Sequence, residues 1–153
     1  MTEIDRATRL LLLALLGSGI LLLACDEVSR PEPGQRPTVS KVEVTPDSVN
    51  ASDLPPEQVQ DSVAQIPLTI AATATDPDGR VERVVFPIEP ASNPRGTIPG
   101  RLRPDQGARY RAELTLGVPA VRDEVYSVRV FAVDNDSLSS NQGLGRLRFV
   151  PAP

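Results

Sequence analysis

Short segments in which apolar and polar residues alternate restrict the fold of this chain more than any other feature. The longest alternation is in Glu124–Asp134, where Tyr126, Val128, Val130 and Ala132 fall on one side. A period of two residues places side chains on opposite faces of a strand, whereas a helix needs a period of about 3.6. The pattern therefore predicts a strand with one buried face.

Further segments show the same alternation and predict the remaining strands. They are Thr38–Thr45, Ile66–Thr75, Val81–Ile88, Thr97–Arg103, Arg109–Leu116 and Arg146–Val150. Turn-forming residues separate them, such as Asp76-Pro-Asp-Gly79, and Pro46–Gln65 predicts a long connection with one helical turn near Glu57–Val63. About seven short strands without a long helix favour an all-β fold, and within that class a single antiparallel β-sandwich.

Residues 1–24 have the composition of a secretory signal. The uncharged run Leu10–Ala24 follows Arg6 and Arg9. As a helix it would span about 22 Å, which is short of the roughly 30 Å of hydrocarbon in a bilayer. The run therefore predicts a removable signal peptide, and an uncleaved signal anchor stays open as the alternative.

The apolar run ends in Leu22-Leu23-Ala24-Cys25, and Cys25 is the only cysteine of the chain. This ending resembles the lipobox of bacterial lipoproteins, in which a small residue precedes an invariant cysteine. The resemblance implies cleavage after Ala24, a diacylglycerol on the Cys25 thiol and a further acyl chain, such as palmitate, on the new amino group. It implies a protein of the bacterial cell envelope that acyl chains hold on a membrane, facing the periplasm or the cell exterior.

Residues 25–37 are rich in proline and polar residues, which predicts an extended, flexible tether to the domain at 38–150. Within that domain, Leu68–Gly79 and Tyr126–Asn135 resemble the B–C hairpin and the F strand of bacterial immunoglobulin-like and cadherin-like envelope modules. The resemblance implies an immunoglobulin-like β-sandwich. It departs from antibody domains, since a single cysteine cannot form their disulfide.

Acidic residues are concentrated in two loops that an immunoglobulin-like sandwich brings to the same end. They are Asp76, Asp78, Asp134, Asn135 and Asp136. Four carboxylates and an amide are the oxygen ligands that Ca²⁺ prefers, so Ca²⁺ is the one candidate cofactor. The alternative is that these side chains accept hydrogen bonds from backbone N–H groups in tight turns.

The alternation also predicts the composition of one outward sheet face. Arginines there are interleaved with valines and a phenylalanine: Arg83, Val85, Arg129, Phe131, Val133, Arg146 and Arg148. Arginine and aromatic residues are enriched in protein interfaces, although single exposed apolar residues are ordinary. We expect this face to bind a protein partner in the envelope, unless the segment Pro46–Gln65 covers it.

Four more arginines, Arg101, Arg103, Arg109 and Arg111, lie across the predicted hairpin of Thr97–Leu116. Like charges on neighbouring strands repel each other. We therefore expect anionic neighbours, which are either local carboxylates such as Asp105 and Glu113 or a lipid head group.

Composition excludes several classes of function. The chain has no histidine, one cysteine and a net charge of −4, which argues against zinc fingers, histidine-based triads and nucleic-acid binding. No nucleophile–base pair or phosphate-binding glycine loop is recognisable, so we expect no enzyme. The expected function is a non-catalytic interaction or scaffold module, a small subunit of an envelope assembly. The alternative is a domain that binds Ca²⁺ or a glycan through its acidic loops.

Overall fold

Backbone pairing in the computed structural model gives an all-β architecture over the residues it describes, 34–153. The strands are β1 (Thr38–Thr45), β2 (Ser48–Asn50), β3 (Val59–Gln60), β4 (Val63–Thr75), β5 (Val81–Pro90), β6 (Ile98–Pro104), β7 (Arg109–Pro119), β8 (Glu124–Asp134) and β9 (Gly143–Val150). Two 3₁₀ turns, Ala51–Asp53 and Pro56–Gln58, lie between β2 and β3. Within 34–153 no helix is long and apolar enough to cross a membrane. The predicted signal peptide, Ala24 and Cys25 lie outside the described residues.

The connection Pro46–Gln65 differs most from its prediction. It holds two short strands, and the helical turn predicted near Glu57–Val63, with Pro55-Pro56 at its start, is a 3₁₀ turn that covers only Pro56–Gln58. β2 runs parallel to the end of β9, and β3 pairs with the start of β4. Strands of two or three residues contain too little alternation to be recognised in a sequence. They form here because the edges of β9 and β4 offer unpaired backbone groups.

The strand order is β1-β4-β7-β6-β5-β8-β9-β2, with β3 beside β4. Neighbours in this path are antiparallel except β9 and β2. β6 joins the two halves, because it pairs with β5 along Ile98–Leu102 and with β7 only at Arg103 and Pro104. The predicted hairpin of β6 and β7 is therefore correct only at its tip. Most of β7 pairs with β4 instead.

One continuous core lies between the two halves of the sheet. Every residue that alternation places inward on β4, β5, β8 and β9 is at most 4% exposed: Ile66, Leu68, Ile70, Ala72, Ala74, Val84, Phe86, Ile88, Tyr126, Val128, Val130, Ala132, Leu147 and Phe149. Burial of one large apolar side chain contributes about 1.5–3 kcal/mol. Apolar packing therefore supplies the stability that a disulfide gives to antibody domains.

A β-bulge at Lys41 changes the face that β1 presents to this core. Simple alternation places Val39 on the opposite side of the strand from Val42 and Val44. The register slips between Ser40 and Glu43, and Lys41 takes a positive φ of 49°. The extra residue turns the strand, so Val42 and Val44 pack against the same core that buries Val39.

The bulged strand closes the fold by packing on β9. Val42 and Val44 lie over Gly143 and Gly145, where a Cβ atom at either glycine would come within 2.5 Å of a valine methyl group. Beside them the Asn141 side chain acts as a strand edge: its Oδ1 accepts from the Val39 N–H and its Nδ2 donates to the Val39 carbonyl, each at 2.9 Å. The first strand is thereby held against the last long one.

We predict that Asn141→Ala lowers the free energy of unfolding by about 1–3 kcal/mol, because two hydrogen bonds to β1 are lost. The measurement is urea denaturation followed by circular dichroism. Gln142→Ala is the matched control, since Gln142 is the exposed neighbour in the same loop. Equal effects of the two substitutions would contradict the role assigned to Asn141.

Candidate functional site

The turn after β4 and the loop after β8 meet at one end of the domain, which we call the acidic pole (Asp76, Asp78, Asp134, Asn135 and Asp136). The Arg80 N–H donates to the Asn135 Oδ1 at 2.8 Å, and the Asn135 N–H donates to the Arg80 carbonyl at 3.2 Å. The two loops are thus joined by hydrogen bonds in both directions. The structure brings these side chains to one end, as the fold prediction requires.

Three side chains of the acidic pole, Asp78, Asp134 and Asn135, accept hydrogen bonds from backbone N–H groups. Asp134 is 1% exposed, and its Oδ1 accepts from the N–H groups of Asp136 and Leu138, both at 2.8 Å. Asp78 Oδ2 accepts from the Gln35 N–H at 2.6 Å. Among the described residues no group of three or more His, Cys, Asp or Glu side chains is arranged to hold a metal. The Asp134 contacts are turn chemistry of the kind that the sequence offered as the alternative to Ca²⁺, whereas the Asp78 contact joins this loop to the chain that enters the domain.

The last residues of the predicted tether also lie against this pole. The Gln35 bond to Asp78 places Gln35 on the domain, and Pro37 is buried. Gly34 lies beside Leu138 and the carboxylates of Asp136 and Asp78. The chain therefore enters the domain across the acidic loops.

Asp76 has a sheltered, unpartnered carboxylate oxygen at the acidic pole. This oxygen, Oδ1, has no hydrogen-bond partner among residues 34–153. Burial raises the pKa of Asp76, and the hydrogen bond with Asp78 and the negative charges of Asp78 and Asp134 raise it further. The ionised form of Asp76 is therefore less favourable in the folded protein than in the unfolded chain.

We predict that Asp76→Asn stabilises the protein at pH 7 and that the gain disappears below pH 3.8. The sign follows from the raised pKa: at neutral pH the fold must hold an unfavourable charge, whereas below the ordinary value of 3.8 the carboxyl is protonated in both states. Denaturation midpoints of the two proteins at pH 7 and pH 3 check this. A gain of the same size at both pH values would show that titration of Asp76 is not its cause.

The second candidate site is the outer face, formed by the outward side chains of β5, β8 and β9. Strand register places Val85 opposite Phe131, Arg83 opposite Val133 and Ser127 opposite Arg146. Phe131, Val85 and Val133 are half-buried, and Arg83, Arg146 and Arg148 are exposed. The structure therefore brings the predicted partner residues together on one side of one sheet.

Sequence reasoning missed two apolar residues of this face. Leu144 is 65% exposed and lies opposite Arg129, and Val125 is 37% exposed and lies opposite Arg148. The predicted last strand begins at Arg146, so Leu144 lay outside it, and Val125 lay within the predicted strand Glu124–Asp134 but was not named on this face. The signal was present, since Leu144 continues the alternation of Arg146 and Arg148 by one step.

Ion pairs surround the apolar residues of the outer face. Arg129 pairs with Glu89, and Arg148 Nη2 lies 2.8 Å from Asp123 Oδ2. The hydrogen bond to Arg148 lowers the pKa of Asp123, and the same bond raises the pKa of Arg148. Arg146 has no ion-pair partner among the described residues.

The long connection does not lie across the outer face. Its first part, β2, extends the edge of β9, with Ser48 opposite Arg148. Its second part, β3, pairs with β4 in the other half of the sheet. The alternative that Pro46–Gln65 covers the outer face is therefore wrong. A shallow cleft of about 480 Å³ lies where β2 meets this face, lined by Asp47, Ser48, Asp123, Val125, Arg146 and Arg148.

The chain matches no protein-family model and is similar to no curated protein. Functional assignment therefore depends on the residues and their geometry.

Proposed function

We propose that the protein is a bacterial envelope lipoprotein, anchored through acyl chains on Cys25, whose folded domain is a non-catalytic interaction or scaffold module. The observation that carries the proposal is the outer face of β5, β8 and β9, where exposed apolar residues lie among arginines. The partner is a second envelope protein, and the protein is a small subunit of the resulting assembly.

The pairing pattern supports an immunoglobulin-like sandwich as the form of this domain. β1, β4 and β7 pair as one group, and β5, β8 and β9 pair as another. The inward residues of both groups share one core. β6 passes between the groups, as strands at the corners of two packed sheets do.

The composition of the outer face supports protein binding more than simple solvation. Leu144 and Val125 are exposed, and Phe131 lies within the same sheet face. Interfaces are enriched in arginine and aromatic residues, and their apolar patches are bordered by polar groups. Exposed Arg83 and Arg146 favour a partner whose contacting surface is acidic.

The proposed anchor explains how a weak contact of the outer face suffices to bind the partner. Acylation contributes about 0.8 kcal/mol per buried CH₂ group, so two or three chains hold a protein firmly on a bilayer. Confinement to one membrane raises the effective concentration of the module near its partner. A weak face contact can then be occupied in the cell.

The anchor is tested by metabolic labelling with palmitate and by intact mass. We expect the wild-type protein to be labelled, to begin at Cys25 and to fractionate with membranes. Cys25→Ser removes the acylated thiol, so label and cleavage should be lost. An unlabelled wild-type protein that keeps Met1–Ala24 would overturn the lipoprotein assignment.

The outer face is tested by affinity purification from native membranes in mild detergent. We expect Leu144→Glu to reduce recovery of a stoichiometric partner at least about tenfold, which corresponds to about 1.4 kcal/mol. Leu144 is preferable to the half-buried Phe131, because a charge at an exposed position leaves the core intact. Val121→Glu is the matched control, since Val121 is 73% exposed but lies in the turn before β8. Undiminished recovery with Leu144→Glu would remove the outer face from the proposal.

The alternative function is binding of Ca²⁺ or a glycan at the acidic pole, and the unpartnered Asp76 Oδ1 is the observation in its favour. A loop-binding protein would purify alone, and its melting temperature would rise with the ligand. We expect no rise with millimolar Ca²⁺. A rise that Asp76→Asn abolishes would replace the scaffold proposal with this alternative.

A further inference from the structure

Three arginines lie in one cross-strand row where β6 passes between the two halves of the sheet. Arg103 on β6 is directly opposite Arg111 on β7. On the other side of β6, Val84 of β5 is opposite Leu102 of β6. The next position along these two antiparallel strands therefore holds Arg83 on β5 and Arg103 on β6. Arg101 is two residues before Arg103 on the same side of β6. We call Arg83, Arg101, Arg103 and Arg111 the arginine cluster.

Local carboxylates leave the centre of the arginine cluster unpaired. Arg111 pairs with Glu113 at 2.5 Å, and Arg83 lies 4.0 Å from Glu82. Arg101 donates to the Glu82 main-chain carbonyl at 3.2 Å. Among residues 34–153, Arg103 has no ion pair with any carboxylate.

Arg109 differs from the arginine cluster, although the sequence grouped it with Arg101, Arg103 and Arg111. Its Nη2 lies 2.9 Å from Glu43 Oε2, and its Nε lies 3.9 Å from Asp105 Oδ2. Two acidic side chains therefore satisfy Arg109. This leaves Asp105 with a partner outside the arginine cluster.

Like charges directly opposite each other on neighbouring strands destabilise a sheet. The arrangement of Arg103 and Arg111 is therefore unfavourable until an anion lies between them. Two adjoining open clefts, of about 500 and 550 Å³, share Arg101, Arg103 and Pro104 in their linings, and Asp105 and Glu113 also line the first and Glu82 the second. The arginine cluster thus borders space that a small ligand can enter.

We propose that the arginine cluster binds a phosphate-type oxyanion, with Arg103 as its central contact. Guanidinium groups donate paired hydrogen bonds to phosphate oxygens, and a phosphate carries more than one charge to share among several arginines. The phosphate can belong to a free ligand or to the head group of an anionic lipid. The site shares Arg83 with the outer face, but its central contact, Arg103, belongs neither to that face nor to the anchor, so the proposal does not depend on the proposed function.

The first experiment uses inorganic pyrophosphate and the full chain in mild detergent, with sodium chloride at equal ionic strength as the reference. We expect pyrophosphate to raise the melting temperature of the wild type. Arg103→Gln should lose the rise, while Arg109→Gln, the matched control, should keep it. Arg103→Gln should fold, because it removes a repulsive charge, and its melting temperature without ligand confirms this.

The second experiment separates the two sources of phosphate. The full chain is placed in nanodiscs of phosphatidylcholine alone or with phosphatidic acid, whose phosphomonoester can carry more than one charge, and the reaction of each arginine with phenylglyoxal is followed by peptide mass spectrometry. Slower labelling of Arg103 by several-fold in the phosphatidic acid discs, with Arg109 unchanged, assigns the site to a lipid head group. A pyrophosphate response without this protection assigns it to a free phosphate. The proposal is overturned if neither response occurs, or if Arg103→Gln and Arg109→Gln weaken the response equally.

Discussion

Contact between β1 and β9 is the interaction on which the enclosure of the core depends. β1 is the first strand of the sheet path, and β9 is the last long one. The bulge at Lys41 turns Val42 inward, and Gly143 and Gly145 leave room for the valines. Each feature works only with the other, because a side chain at Gly143 would occupy the position of the Val42 methyl group. The Asn141 amide supplies the hydrogen bonds that strand pairing would otherwise provide.

This closure separates the residues that stabilise the fold from those available for binding. The inward residues of β5, β8 and β9 are committed to the core, so a change at Val128 or Leu147 would cost stability. Outward residues such as Leu144 have no such role. They can be exposed and apolar without weakening the core. The cost of exposing apolar surface to water is offset by a bound partner or by the charged arginines around it, which keep the protein soluble. Binding is therefore expected on the outer face rather than among the core residues.

Much of the fold could be predicted from the sequence, because burial of one face imposes a period of two. The bounds predicted for β1 and β8 agree with the structure. The bulge at Lys41 could not be predicted from the sequence, because it arises from the packing of β1 against β9, which is distant in the chain. β2 was missed for a similar reason: its three residues are a strand only because β9 offers an edge.

Candidate sites were predictable in position but not in detail. The acidic loops meet, yet the hydrogen bonds that engage Asp134 and Asp78 depend on where Leu138 and Gln35 lie in space. The outer face followed from alternation, and Leu144 was lost only because the start of β9 was placed too late. Arg103 and Arg109 are indistinguishable in the sequence, and only strand register shows which one has acidic neighbours.

The different surroundings of Arg103 and Arg109 also show why local carboxylates do not neutralise the arginine cluster. Exposed ion pairs contribute about 0–1 kcal/mol, so the pairs of Arg111 with Glu113 and Arg83 with Glu82 hold their arginines weakly. A ligand that bridges several guanidinium groups forms hydrogen bonds with each of them, and these contributions to binding add together. Glu113 contacts Arg111 and leaves Arg103 unpaired, whereas a phosphate between Arg103 and Arg111 removes the repulsion that strand register imposes. The same register that makes this part of the sheet unfavourable when empty therefore makes it selective for a multiply charged anion.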